Sequence, residues 1–207
     1  SIRGYLETLV NHPEIDPENQ QLFTERAYLQ SLRLSDMIRD ISLITKLEEA
    51  PHQFKTEPVN IRNVFEEVTE ELGETLGAHS ITVNNLPPIC VRGNYQLIYS
   101  IFRNLVENTA KYAGDGSTAT MDYSTSKDET HIFNYRDNGR GVAPEMLDRI
   151  FERFFRLNDD RSRTSEGSGL GLSIIKNAVL FHKGKITAYN VENKGLGFRF
   201  TLQDLPR

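Results

Sequence analysis

The 207 residues include 24 basic and 29 acidic side chains, a formal charge of -5, with 38% hydrophobic and 26% charged residues. That usage fits a globular chain with a real core, one large domain or a small one beside a medium one. The acidic balance excludes nucleic acid held by bulk electrostatics, leaving room for a local basic pocket for phosphates. The single cysteine excludes an intramolecular disulfide.

Residues 1–10 read as the end of a helix, and 11–19, with Pro13 and Pro17, as the turn into a second, antiparallel one. Residues 18–49 contain no Gly or Pro. Ala27, Leu34 and Ile41 recur at heptad spacing, with Met37 and Ile44 three residues after the last two. A helix of that extent is roughly 45 Å long at 1.5 Å per residue. Its apolar stripe needs antiparallel or intermolecular partners.

The texture changes at Pro51. Residues 54–61 are expected as a short strand, 63–76 as an amphipathic helix, and 80–84 and 89–91 as strands, with Cys90 a small buried apolar residue. Asn94 is expected to cap a helix running to about Tyr112. Residues 118–124 and 130–135 alternate as paired strands, 170–181 form a helix, and 185–190 with 198–202 close as two more strands. This mixture predicts an α+β fold, a two-layer α/β sandwich with a mixed sheet rather than a doubly wound parallel one. No apolar run reaches the length of a membrane span. The start at Ser1, without methionine, leads us to expect a piece of a longer protein.

Three constellations carry candidate chemistry. On the helix after Asn94, Ile98, Ile101, Phe102, Leu105 and Thr109 form one face. Asn104, Glu107, Asn108 and Lys111 form a second, polar one at i, i+3, i+4 and i+7. A solvated face looks similar, but solubility is better served by Glu and Lys than by two helix-interior asparagines. Asn and Glu oxygens suit a hard cation such as magnesium, and a lysine one turn on reaches a phosphate as a point charge. The second is Arg136-Asp137-Asn138-Gly139-Arg140-Gly141-Val142. Ionised Asp137 can only accept hydrogen bonds, which suits an exocyclic amine such as that of adenine; the same residues also spell a plain turn. The third, Gly167-Ser168-Gly169-Leu170-Gly171-Leu172, runs into a helix whose free N–H groups and dipole suit an anion. It is neither a Walker loop nor a dinucleotide fingerprint, and its glycines alone would equally make a hinge. Between the last two, residues 151–156 precede a polar stretch with Arg161 and Arg163, the makeup of a lid over phosphates and also of an exposed loop.

In order and spacing, residues 104–112, 137–141, 151–155 and 167–171 resemble the N, G1, F and G2 boxes of bacterial sensor histidine kinases, and 195–202 look like the closing glycine motif. The resemblance covers about residues 50–205. At the front, Ser1-Ile2-Arg3-Gly4-Tyr5 looks like the stretch just after the family's phosphoacceptor motif, His-Glu-x-x-Thr-Pro. The resemblance implies a partial dimerisation and histidine-phosphotransfer hairpin over residues 1–50 and a linker over 51–59. A catalytic ATP-binding domain of the GHKL, or Bergerat, type would follow over 60–207. Two chains would pair their hairpins in a four-helix bundle.

It further implies ATP and magnesium. Asn108 would coordinate the ion, with Asn104 and Glu107 close to it or its waters. Lys111 and Tyr112 would approach the phosphates and nucleotide, and Asp137 the adenine amine in a pocket shaped by Gly139 and Gly141. Gly167, Gly169, Leu170, Gly171 and Leu172 would hold the phosphates under the lid, with Arg161 or Arg163 on the terminal phosphate and Thr201 near the adenine. Two positions depart from the family pattern: Asn94 stands where Asp is common and Glu166 where Gly often is.

The implied reaction carries the γ-phosphoryl of ATP to a histidine of the hairpin and then to an aspartate of a response-regulator receiver domain. None of His12, His52, His79, His131 and His182 sits on a helix with a following acid and Thr-Pro. The acceptor is therefore expected upstream of Ser1, and the chain is expected to bind ATP without autophosphorylating. A cytoplasmic location is expected, with the membrane met only through N-terminal segments outside these residues. Gyrase-type ATPases, heat-shock chaperones and mismatch-repair proteins share the pocket but use a glutamate base; Asn104 at the comparable position favours phosphotransfer. A non-catalytic scaffold with a vestigial pocket is the remaining alternative.

Overall fold

The computed structural model describes residues 1–157, 167–192 and 194–206. They fall into two compact units, Ser1–Leu43 and Ile44–Arg207.

The first unit is a helical hairpin. Helix α1, Ile2–Asn11, begins where the Ser1 hydroxyl accepts from the Gly4 N–H at 3.2 Å. Helix α2, Pro17–Glu49, begins where Asp16 accepts from the Asn19 N–H at 3.0 Å, with Pro17 supplying a preset φ and no orphan donor. Tyr5 and Phe23, equally far from the intervening turn, stack at 5.8 Å, so the helices run antiparallel. As expected for a helix that long, its apolar residues are not all covered. Leu34 and Ile41 are 50% and 43% exposed, and Leu6 and Val10 are also open. The last turns of α2 differ: Ile44 and Leu47 are buried and belong to the second unit. The division thus falls about two turns before Pro51.

In the second unit, strand β1, Glu57–Asn60, pairs antiparallel with β3, Cys90–Gly93. Cys90 is exposed rather than buried: it opens the edge of this two-stranded ribbon opposite Asn60. Helix α3, Ile61–Glu71, is capped by Asn60 and buries Ile61, Val64, Phe65 and Val68. The single helix expected over 63–76 stops at Leu72, and Gly73–Leu76 form a separate turn, α4; glycine is a weak helix former there. Asn94 caps α5, Tyr95–Tyr112, through Oδ1, which accepts from the Leu97 N–H at 3.1 Å.

The main sheet contains β2 (Ser80–Asn85), β4 (Thr118–Thr125), β5 (His131–Asp137), β7 (Leu196–Leu202) and β6 (Ile186–Asn190), in that spatial order. Only β2 and β4 are parallel, so the sheet is mixed. Its inward face alternates with the outward one as the period of two demands. Phe133 and Tyr135 of β5 and Phe198, Phe200 and Leu202 of β7 are buried. On the opposite face Arg136 donates to Thr120 Oγ1 and to Asp122 across the neighbouring strand. Phe102 of α5 packs its ring against Phe65, Phe133 and Phe200 at 5.4–6.3 Å. Emptying one such aromatic site costs about 3–5 kcal/mol. Thr109 of α5 shares a 2.8 Å hydrogen bond with the Tyr135 hydroxyl, satisfying both in the core. Helix α6, Gly171–Phe181, packs beside α5 and buries Ile174, Ile175, Ala178 and Val179. One sheet face carries helices and the other meets solvent, which is the two-layer sandwich the sequence predicts.

His182, just after α6, is fully buried. Its Nδ1–H donates to the Ala178 carbonyl at 2.7 Å, and its Nε2 accepts from the Asn94 N–H at 3.0 Å. The ring therefore ties the end of α6 to the start of α5. Burial pushes its pKa down, opposed by the Ala178 bond. The Asn94 side-chain amide also donates to the Lys55 carbonyl at 2.8 Å, a bond that Asp could not make.

Candidate functional site

The polar stripe occupies the last three turns of α5. Helical spacing alone puts Asn104, Glu107, Asn108 and Lys111 on one face. Asn104 donates from Nδ2 to the Ser100 carbonyl at 2.8 Å, which directs Oδ1 away from its own helix. Glu107 accepts from Arg103 Nε at 2.9 Å and from Lys111 Nζ at 2.7 Å. Burial pushes its carboxyl up, but Lys111 and then Arg103 outweigh that and hold it below the usual range. Asn108 has its Nδ2 buried with no hydrogen-bond partner. A buried orphan donor is costly, so an acceptor from a water or a ligand would complete it.

The glycine segment before α6 lies directly on this stripe. A Cβ at Gly171 would collide with Asn104 Oδ1, and one at Gly167 with the Tyr112 hydroxyl. Glycine at both ends lets the segment lie this close without displacing the Tyr112 and Asn104 side chains. The carbonyl of Gly169, at φ +72°, accepts from the Phe154 N–H at 2.9 Å, linking the segment to residues 151–155. Leu170 is fully buried, and Leu172 lies within the first turn of α6.

The third constellation closes on the end of α5. The turn after β5 brings Gly139 against the Ala113 backbone. Asp137 is buried, and its Oδ1 accepts from the Gly139 N–H at 2.8 Å and the Leu196 N–H at 3.1 Å. Burial raises its carboxyl above the usual range, opposed by those two donors. With both bonds on Oδ1, Oδ2 keeps its acceptor capacity for a ligand amine.

At the C-terminal half of α5, which carries Asn104, Glu107, Asn108, Lys111 and Tyr112, Gly139 thus comes against Ala113, Gly167 against Tyr112 and Gly171 against Asn104, with Asp137 two residues before Gly139; Gly169 meets residues 154–155 and Gly141 meets Asn190 and Gly195 instead. Thr201 does not join them. It pairs with Ile132, four positions from the Gly197–Arg136 pair, or roughly 13 Å along the strand. Its hydroxyl accepts from the Lys185 N–H. The strand end that reaches Asp137 is Leu196, not Thr201. Arg161 and Arg163, with Glu166, lie outside the described residues.

Two contributors were not anticipated. Asn190, at the end of β6, clasps Val142 from both sides: Oδ1 accepts its N–H at 2.9 Å and Nδ2 donates to its carbonyl at 2.6 Å. Arg103 braces Glu107, and Glu71 of α3 braces Arg103 at 2.9 Å. Only the i, i+4 spacing of Arg103 and Glu107 was a usable sequence signal; the partners of Asn190 and Glu71 are distant in the chain.

The residues present fit a nucleotide with a hard cation. The stripe offers Asn and Glu oxygens for the cation, the buried Asn108 Nδ2 is a donor suited to a phosphate oxygen, and the glycine segment runs into a helix start whose N–H groups suit an anion. Among the described residues no helix is long and apolar enough to cross a membrane.

Comparison with known proteins bears on the family and the fold. The family described as Histidine kinase-, DNA gyrase B-, and HSP90-like ATPase matches residues 93–206. The phosphate regulon sensor protein PhoR of Pseudomonas aeruginosa is 28% identical over 200 residues, covering 95% of this chain and 45% of its own length. The chain spans less than half the length of this relative. Among solved structures, the mycobacterial sensor histidine kinase MprB superposes with a TM-score of 0.64 at 25% identity, over 74% of this chain and 100% of its own. The histidine kinase ThkA, solved in complex with the response regulator protein TrrA, shares the fold with a TM-score of 0.74 at 20% identity, over 99% of this chain and 57% of its own.

Proposed function

The chain belongs to the histidine kinase-, DNA gyrase B- and HSP90-like ATPase family, as a sensor histidine kinase, and on that premise we propose that its second unit binds ATP with magnesium for phosphoryl transfer to a histidine. The observation that carries this is the convergence of the α5 stripe, the Asp137 turn and the 167–171 glycine segment on one helix half. Asp137 accepts the adenine amine through Oδ2. Gly167 to Gly171, with the free N–H groups at the start of α6, hold the phosphates, and Lys111 neutralises part of their charge. Asn108, with Asn104 and Glu107 nearby, holds magnesium, which when bound offsets charge on the phosphate oxygens. The protein's part is positioning and electrostatics.

The acceptor comes from outside these residues. His12 and His182 are helix caps, His52 is in a 3-10 turn, His79 precedes β2 and accepts or donates at Ser117, and His131 is on β5. None lies within an α-helix, where a phosphotransfer hairpin would present it. The exposed apolar residues of the hairpin support burial against a second copy, giving a four-helix-bundle homodimer. A receiver domain is the recipient of the phosphoryl group, and the second unit works in the cytoplasm. Net hydrolysis is disfavoured because the Asn104 amide cannot act as a general base.

Titration with a fluorescent ATP analogue tests the site. Binding is expected to depend on magnesium and to be lost in Asn108→Ala. No binding by the wild-type chain, or unchanged binding by Asn108→Ala, refutes it.

A further inference from the structure

Both oxygens of Glu107 are occupied, Oε1 by Arg103 Nε at 2.9 Å and Oε2 by Lys111 Nζ at 2.7 Å. Arg103 is held again on its far side, where its Nη1 donates to Glu71 Oε1 at 2.9 Å and the Tyr99 hydroxyl donates to the other Glu71 oxygen. Four charges of alternating sign thus run from α3 across α5: Glu71, Arg103, Glu107, Lys111. The two cations are anchored unequally. The planar arginine fork bridges carboxylates on two helices, whereas Lys111 ends a flexible stem and holds Glu107 alone. A polyphosphate entering the site would therefore draw Lys111 off its carboxylate more readily than Arg103.

We propose that Arg103 is a positioning residue that lets Lys111 leave Glu107 for the nucleotide phosphates, by staying behind as the counter-ion of that carboxylate. The proposal rests on the ATP site described above and names how that site is armed. The Glu107 side chain is 23% exposed, so leaving it with no cation is expensive. With Arg103 in place, one partner can depart while the other, fixed by Glu71, keeps the carboxylate balanced and aimed. The Oε2 that Lys111 vacates becomes an oxygen available to a hard cation or its water. Without Arg103, Lys111 is the sole counter-ion of Glu107; its transfer then costs more and the nucleotide binds more weakly. Glu71, which touches nothing in the site itself, matters only through Arg103.

The test is a double-mutant cycle read by titration of a fluorescent ATP analogue with magnesium. It compares the wild-type chain, Arg103→Met, Lys111→Met and the double variant, with thermal melts alongside. Arg103→Met is expected to weaken binding about fivefold in the wild-type background, and less than about twofold when Lys111→Met is already present. Arg103→Lys keeps the charge but cannot fork to both carboxylates, so its affinity falls between the two. It serves as the informative variant if Arg103→Met melts too early to titrate. Equal losses in both backgrounds would mean that Arg103 acts through packing or bulk charge, and would overturn the proposal, as would wild-type affinity in Arg103→Met. A wild-type chain that binds no analogue overturns the nucleotide site and this proposal with it.

Discussion

Replacing Asp137 by Asn separates what this carboxylate does for the ligand from what it does for the fold. Asp137 is 8% exposed, and burial raises its carboxyl against the opposing pull of the Leu196 and Gly139 N–H groups. With a raised pKa the folded state takes up a proton more readily than the unfolded one. Stability therefore falls as pH rises from the ordinary carboxylate value through the folded one. Keeping Asp137 ionised at neutral pH is thus a cost to the fold. Asn retains an oxygen for both N–H groups without the charge. Asp137→Asn is expected to melt at the wild-type temperature or above it. For the nucleotide the outcome reverses. The amide would present its NH2 to the exocyclic amine of adenine, and flipping it would instead set that NH2 against the Gly139 and Leu196 donors. Losing a hydrogen bond to a charged acceptor costs roughly 1.5–3 kcal/mol, or about 10- to 150-fold in Kd. Thermal melts and titration of the ATP analogue read the two effects separately. Affinity within about twofold of wild type, or a melting loss that tracks the affinity loss, refutes this division of labour.

Three further substitutions probe the supports of the site. In His182→Gln the buried ring that accepts from Asn94 and donates to Ala178 is lost, at about 2 kcal/mol by urea unfolding near pH 8. Because burial depresses the folded pKa of His182, the wild-type chain keeps its full stability above the unfolded value of about 6.5 and loses it as pH falls below. That slope should flatten in the variant, and an unchanged slope would refute the assignment. Asn190→Asp keeps the acceptor for the Val142 N–H but sets a carboxylate against the Val142 carbonyl. Amide exchange at Gly141 and Val142 should accelerate and nucleotide affinity fall, with the global melt nearly unchanged. Gly195→Ala places a Cβ into the Asp137 carbonyl at a residue with φ +122°. Strain of about 1–3 kcal/mol should lower the melting temperature by roughly 2–10 °C together with ATP binding; a variant that melts like wild type would contradict the close approach.

Helices were legible where local rules decide them. Asn94 marks a start that the structure keeps, because capping depends on residues within one turn, and α2 begins at Pro17, one residue from the expected start; α3 instead begins at Ile61, capped by Asn60, inside the stretch expected as a strand. The sheet edges were less legible. Extending β3 to Gly93 and β7 back to Leu196 needs pairing with Glu57 and Asn190, information held by distant residues. The same limit explains Cys90, whose apolar neighbourhood in sequence suggests burial while its place on a two-stranded ribbon exposes it. It also explains Thr201, whose side chain has the right chemistry for a nucleotide pocket but stands at the wrong end of β7.

Within the site, spacing exposed the polar stripe but not the reason the glycines must be where they are. Read singly, Gly167 and Gly171 serve a flexible hinge as well as an anion cradle. The close approach favours the cradle, because the ends of the Tyr112 and Asn104 side chains stand where a Cβ would begin. A hinge needs glycine for freedom of φ and ψ and has no use for such crowding. Here the missing Cβ atoms let one backbone segment lie against the face that carries Asn108 and its orphaned amide. In the proposed site a ligand meets the helix-start N–H groups and the Asn108 Nδ2 donor on one side and the Asn104 and Glu107 oxygens on the other. An anion alone would be repelled by the second set and a cation alone by the first, so the arrangement is complementary to the two bound together.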